Sequence, residues 1–451
     1  MTTKMKRFFI ALIVFGFSTN LFAQAPTVEY WNNKQKKAEG VIKDSLKEGT
    51  WIYWYQNGKK WSEGIYLHNE QTGHWIYWYD NGTKQAEYTV ENGIYNSWFD
   101  NGKTEASGNI QNKARTGKWV FHHPNGALKR ECTYQNGILD GDFTEYHDNG
   151  KVAQKGHYKA GKLNGYTTWW NKAGGKEAEG NLIDDLQDST WFYYHENGQI
   201  GSTGPFVNDL LQGEWIYYYD NGKIWKKGSF EEGKRTGKWT AWYEDGKKQR
   251  EGNFQNDRED GFWQQWYKNG QLEDEGFFTE GLMDKTWKGY YYDGGKKYVN
   301  EYAKGLKNGA STYWYANQKL MRQGTYKDDK KEGSWIEWAE NGKKLEEGTF
   351  KNNKKEGMFT FYDKYGGKNK IQEFKNDRPE GKWTEYYPNG KKLAEGQFIN
   401  RIKEGVWTNW NQDGTILLQV EYKKGLKVRT IKEYKPNPNK KNDSNDGAPT
   451  F

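Results

Sequence analysis

The sequence predicts an all-β fold: an elongated, single-sheet antiparallel meander of tandem β-hairpin repeats, twisted or superhelical. Three observations predict it. An aromatic run, an Asn-Gly pair, a second run ending on an aromatic and a polar stretch closing on Gly recur from end to end, as in GKWTEYYPNGKKLAEGQFINRIKEG at Gly381–Gly405. The recurrence has a fixed period, the signature of a repeat architecture. No stretch carries helical periodicity, Pro is scarce at eight residues, and Gly falls every few positions.

The residue two places before each leading Trp falls at 49, 73, 96, 117, 141, 165, 189, 213, 237, 261, 285, 309, 333, 357, 381 and 405, marking 16 units. From 117 onward each step is 24 residues, whereas the steps of 23 and 21 before it make the third unit, Gly93–Gly117, short. The chain then reads as a signal peptide (1–23), an N-terminal half-repeat cap (24–48), the repeat array (49–434) and a disordered tail (435–451). Stacked units of this kind make one body, which overrides the three domains that 451 residues would otherwise suggest.

Within one unit, Trp51 to Tyr55 is rich in β-forming residues. Asn57-Gly58 reads as a two-residue hairpin turn with both residues at positive φ. The same turn recurs at Asn81-Gly82, Asn149-Gly150, Asn221-Gly222, Asp245-Gly246, Asn341-Gly342 and Asn389-Gly390, among others. Lys60 to Tyr66 is the return strand and Asn69 to Gly73 a connection. Such a turn places Trp51 opposite Gly64, and likewise Trp191 opposite Gly204, Trp215 Gly228, Trp239 Gly252, Trp263 Gly276, Trp335 Gly348 and Trp383 Gly396. The indole is expected over the bare backbone of the glycine it faces. Trp, Gly and the following Tyr66, Phe206, Phe230, Phe254, Phe278, Phe350 or Phe398 then share one buried face.

A second set, Trp54, Trp78, Trp242, Trp266, Trp338 and Trp410, with Tyr218, stands three places after the leading Trp, on the opposite face of a regular strand. Either a bulge brings these rings round or the second face carries its own aromatic row. The Thr or Ile, Glu and Lys that share their phase suit a solvated surface and favour the second row. These six tryptophans are the candidate binding surface.

The composition is 34% apolar, 17% aromatic and 28% charged, with 24 Trp, 33 Tyr and 21 Phe. It describes a folded protein with an aromatic core and few aliphatic residues. Lys4, Lys6 and Arg7 before the apolar run Phe8–Phe17, with Ala23 as the exit, read as a secretory signal too short to span a bilayer. Losing those three cations takes the net charge from +8 to +5, weak grounds for a polyanionic partner. The expected address is the cell envelope: periplasm, outer surface or medium. Cys132 is the one cysteine, so no internal disulfide forms. It is read as a small half-buried residue just before a strand glycine, unreactive for lack of a pKa-lowering neighbour.

These residues resemble the MORN repeat, in the bacterial variant form of the YwqK-type antitoxin family. The resemblance rests on G-x-W-x-x-[YW]-Y-x-N-G-K, then E-G-x-[YF] and a polar return to Gly, over about residues 30–434. It implies a scaffold or protein-binding rod, in some relatives a lipid-associated module. The antitoxin name implies a protein that neutralises a toxin. The family motif brings no catalytic residue.

No catalytic, cofactor-binding or metal-binding residue is predicted, and the chain is not expected to be an enzyme. His123, His147 and His195 occupy one repeat position, where Tyr55, Tyr79 and Tyr219 stand elsewhere. Neighbouring copies lie about 10 Å apart, too far to share one zinc ion at about 2.1 Å. The histidines are therefore read as stand-ins for tyrosine. Glu63, Glu87, Glu179, Glu251, Glu275, Glu347 and Glu395 also recur at one position beside lysines. That is a solvated ladder with modest pairing, whereas carboxylates for glycoside hydrolysis converge from different positions. The function expected is an exported, non-enzymatic scaffold with a protein partner. Its alternatives are an envelope glycan-binding module and a toxin-neutralising protein. Nucleic acid is not expected for an exported, mildly basic chain, nor a membrane surface with glutamates interleaved. The oligomeric state stays open.

Overall fold

The computed structural model describes residues 25–434. The signal segment over 1–23 and the disordered tail over 435–451 lie outside the described residues. Two compact units divide the chain, Met1–Leu186 and Gln187–Phe451. In each, successive strands pair antiparallel, and no helix occurs among the described residues. The expected all-β antiparallel meander is what each unit contains.

The first unit shows how a repeat is made. Strand Leu46–Trp54 pairs with Lys60–Leu67, which pairs in turn with Glu70–Trp78. Trp51 stands opposite Gly64 as expected. The turn between them is not the expected one. Gly58 N–H donates to the Tyr55 carbonyl at 3.0 Å and Tyr55 N–H to Lys59 at 2.9 Å. Only Gly58 has positive φ (81°); Asn57 does not. This is a type I turn closed by a left-handed glycine, a three-residue loop. Such a loop slips the register by one residue, with Trp54 opposite Lys60. A bulge at Trp61 then takes the slip back, so that Tyr53 faces Ser62 and Trp51 faces Gly64.

The two-residue turn with both φ positive lies at the other end of the repeat. His68 (φ 52°) and Asn69 (φ 70°) join Lys60–Leu67 directly to Glu70–Trp78, so the expected polar connection is a second hairpin. Asp44-Ser45 and Asn112-Lys113 repeat it in this unit, and Asn208-Asp209, Asn256-Asp257 and Asn352-Asn353 in the second. Beyond that tip the pairing advances by two residues between Thr72 and Trp75. Gly73 (φ 63°) sits in that bulge, in a conformation that L side chains avoid. The left-handed conformation is kept even where glycine is replaced, at Ser189 (φ 60°) and Lys285 (φ 57°), so glycine is the favoured residue at this place because it adopts that conformation without strain.

Gly64 is a different case: a Cβ there would meet the Trp75 indole at 2.1 Å. This corrects the expected geometry. Gly64 lies between Trp51 and Trp75 and pairs with both. It is the tryptophan of the following repeat that covers it, while Trp51 covers Gly40. The indole N–H settles the direction. Trp75 Nε1 donates to the Ile65 carbonyl at 3.2 Å and Trp51 Nε1 to Val41 at 3.2 Å. In the second unit Trp239 donates to Ser229 and Trp263 to Asn253 in the same way. The buried face is thus built between repeats, with Tyr66 set edge-on to Trp75 at 5.1 Å. Lys47, Arg115, Lys331 and Lys403 reach over Trp51, Trp119, Trp335 and Trp407 at 4.4–4.6 Å.

Where the glycine is replaced, its partner changes too. Cys132 occupies the glycine's own place, opposite Trp119, not the place before it. It is buried rather than half-buried, and Phe143 stands where the covering tryptophan would be. Burial pushes its thiol pKa up, the state of an inert structural cysteine. Asn300 likewise takes a glycine's place and meets Ser311, whose hydroxyl donates to it at 2.6 Å.

The shortened repeat is also corrected. Trp98 is not a leading tryptophan: its carbonyl accepts from Tyr79 and Lys84 lies over its ring, the pattern of Trp78 with Tyr55 and Lys60. Tyr95 holds the leading place, opposite Gly108. The missing residues come from the two strands that meet at the hairpin tip: Lys84–Thr89 and Asn92–Trp98 have six and seven residues, where Lys60–Leu67 and Glu70–Trp78 have eight and nine. Val90 and Glu91 join these strands, and the Glu91 carboxylate folds back to accept Gly73 N–H at 3.0 Å.

Candidate functional site

The six tryptophans of the candidate surface are all half-buried. The bulge that the sequence allowed is present, but in the partner strand, and it turns the lysine rather than the tryptophan. By displacing Trp61 it sets Lys60 on the face of Glu63, beside the next repeat's Trp78. Lys60 Nζ meets Glu63 at 2.6 Å and lies 5.6 Å from the Trp78 ring centre. The second aromatic row therefore exists, and it is dressed. Lys36 with Glu39 covers Trp54, Lys248 with Glu251 covers Trp266, and Lys392 with Glu395 covers Trp410. Trp242 and Trp338 differ, because Ile224 and Leu320 hold the lysine's position there. Four of the six rings thus present a charged, hydrogen-bonded triplet, and for the other two the lysine's place in the repeat is taken by an aliphatic residue.

Two further ladders run along this edge of each unit. Tyr55 Oη donates to the Trp78 carbonyl at 2.9 Å, Tyr243 to Trp266 and Tyr387 to Trp410 at 2.8 Å. His123 Nε2 makes the same bond to Tyr146 at 2.9 Å, His147 to Trp170 at 2.8 Å and His195 to Tyr218 at 3.0 Å. A carbonyl only accepts, so each ring carries its proton on Nε2. The histidines do stand in for tyrosine. The turn asparagine serves twice: Asn57 Oδ1 accepts Lys59 N–H at 3.0 Å and its Nδ2 donates to the Asp80 carbonyl at 3.0 Å. Asp245, in that position, keeps only the first bond. Asn-Gly therefore signals repeat-to-repeat stitching as much as a turn, a role the hairpin reading did not contain.

The electrostatics of the ladder are local. The Glu347 carboxyl is held below the usual carboxylate range by the bond from Lys344, then by that from Tyr362, against the opposing effect of burial. Burial and then the Glu347 bond push the Tyr362 phenol up to about 12. A depressed carboxyl stabilises the fold fully above the ordinary glutamate pKa of about 4.3 and loses that contribution as pH falls through the folded value. A raised phenol acts the other way, its contribution being lost as pH climbs past about 10. We expect the urea midpoint to fall between pH 6 and pH 3, and Glu347→Gln to shrink that fall. An unchanged pH dependence in Glu347→Gln would remove this carboxylate from the account.

Among the described residues no group of three or more His, Cys, Asp and Glu side chains is placed to hold a metal ion. What the arrangement offers instead is a repeated surface. The family profile described as "MORN repeat variant" matches residues 47–68, 71–92, 115–136, 139–160, 187–208, 211–232, 235–256, 307–328, 331–352, 379–400 and 403–424. No curated protein matches. Among solved structures, a TcdB2–TccC3 complex is 10% identical, with 88% of this chain and 27% of that chain covered and a TM-score of 0.14. The Tc holotoxin pore of Photorhabdus luminescens is 9% identical, with 88% and 23% covered and a TM-score of 0.15. The chain spans about a quarter of the length of these structures.

Proposed function

Because the chain belongs to the MORN repeat variant family, we propose that it is a non-enzymatic scaffold, exported to the cell envelope, that binds a protein partner along its second face. One observation carries this reading. The Lys–Glu–Trp triplet recurs at one place in the repeat, at Trp54 and Trp78 in the first unit and at Trp266 and Trp410 in the second. A series of equal, modest contacts favours a partner that engages several at once, since linked weak contacts gain affinity without any strong one. The lysine over each ring sets this surface apart from a bare stacking platform, and supports protein over glycan. Export rests on the charged and then apolar start of the chain.

The test is cross-linking and recovery from native envelope extracts, alongside sedimentation with insoluble glycan. Wild-type protein should retain a defined protein partner, and replacing Trp54, Trp78, Trp266 and Trp410 by Ala should release it while the fold persists. Sedimentation with glycan and retention of no protein would replace this reading with the glycan one.

A further inference from the structure

The buried face of the second unit is interrupted around Trp239. Two places after the leading tryptophan, the two preceding repeats hold Tyr193 and Tyr217, whereas this one holds Ala241. Two places before the strand glycine, Ser62, Ser202 and Ala394 give way here to Lys226 and Arg250. The missing ring leaves a hollow of about 390 Å³ lined by Tyr217, Lys226, Arg235, Trp239, Arg250 and Trp263. Trp239 is accordingly 7% exposed, against 1% for Trp51, Trp75 and Trp119.

The three cations at its edge are not equivalent. Arg235 Nε lies 3.0 Å from Asp257, and Arg250 lies 2.6 Å from Glu259. Lys226 has no carboxylate partner among the described residues; its ammonium sits 4.4 Å from the ring centres of both Tyr217 and Trp225. Burial, and then the charge of Arg235, hold its pKa below that of an ordinary lysine, as expected for a cation lacking an anion. The hollow thus combines an aromatic floor, room for about one ring and one uncompensated positive charge. A phosphate dianion would want two free cations and finds one.

We propose that this hollow is a binding site for a small aromatic carboxylate, its ring over Trp239 in the space beside Ala241 and its carboxylate on Lys226. Ring packing on the floor and one charge-assisted bond at the rim are the usual division of labour in such pockets. The proposal stands apart from the scaffold reading, and its failure would leave that reading untouched.

The experiment is calorimetric titration of the full chain with naphthoate, the corresponding naphthyl alcohol and inorganic phosphate. Ala241→Tyr restores the ring of the preceding repeats, and Lys226→Ser the residue of others, so both should fold; circular dichroism checks this. One equivalent of naphthoate should bind, weakened at least about tenfold in either variant and by the alcohol substitution. Phosphate should not compete. Equal binding of the alcohol, unchanged affinity in Ala241→Tyr, or no binding at millimolar naphthoate would each overturn the site.

Discussion

Gly252→Cys is expected to destabilise its repeat by about 2–3 kcal/mol, and Trp263→Phe in the same chain to recover at least half of the loss. A Cβ on Gly252 would lie 2.0 Å from the Trp263 indole. That indole cannot step aside. Its Nε1 is bonded to the Asn253 carbonyl at 3.1 Å, Phe254 stands edge-on at 5.1 Å, and Arg250 covers it at 4.3 Å. The rescue is already written into the first unit, where Cys132 meets Phe143 with both side chains buried. The measurement is a double-mutant cycle in urea, with hydrogen exchange reporting the strands around Trp263. Repeats lose stability locally, so a global midpoint alone would understate the effect. Additive single-mutant costs would mean that the glycine is not there for the indole.

Trp75→Ala is expected to cost about 3–5 kcal/mol, and Trp78→Ala, three residues away, only about 1 kcal/mol. Trp75 is 1% exposed, covers Gly64 and bonds to Ile65 across the repeat boundary. Removing it leaves a void under Tyr66 and Tyr77, which pack on it at 5.1 and 5.7 Å. Trp78 is half-buried beneath Lys60 and gives up a cation contact and part of its area. Hydrogen exchange should report loss on both strands flanking the mutated indole, Lys60–Leu67 as well as Glu70–Trp78. Equal costs at the two positions would mean that the faces are not distinct in the way described.

The pairing of Trp51 with Gly64 was readable because the sum of two paired positions is insensitive to compensating errors. The loop is one residue longer than a two-residue turn, and the bulge at Trp61 restores the difference. The turn type was not readable. Asn-Gly suits a pair of left-handed residues and equally a type I turn with a left-handed glycine after it, and only the backbone chooses. The second turn is not legible in the sequence, because His68-Asn69, Asp44-Ser45 and Asn112-Lys113 share no residue pair. The short repeat was misplaced because Trp98 looks like a leading tryptophan in sequence, while the leading place is held by Tyr95. On the second face the row of Trp54 and Trp78 was legible from its spacing. The lysine that covers each ring was not, because it comes from the preceding repeat through a bulge.

The sequence by itself determined the hairpin, its period, and which residue types share a face. Those properties follow from side-chain alternation and turn preference, which act over a few residues at a time. Only the tertiary structure decided that each indole covers the glycine of the repeat before it, and that Ala241 opens a hollow edged by Lys226. Gly64 has a tryptophan on either side, Trp51 and Trp75, and strand pairing treats the two alike. The choice between them belongs to a hydrogen bond and a ring packing that exist only once two repeats lie side by side.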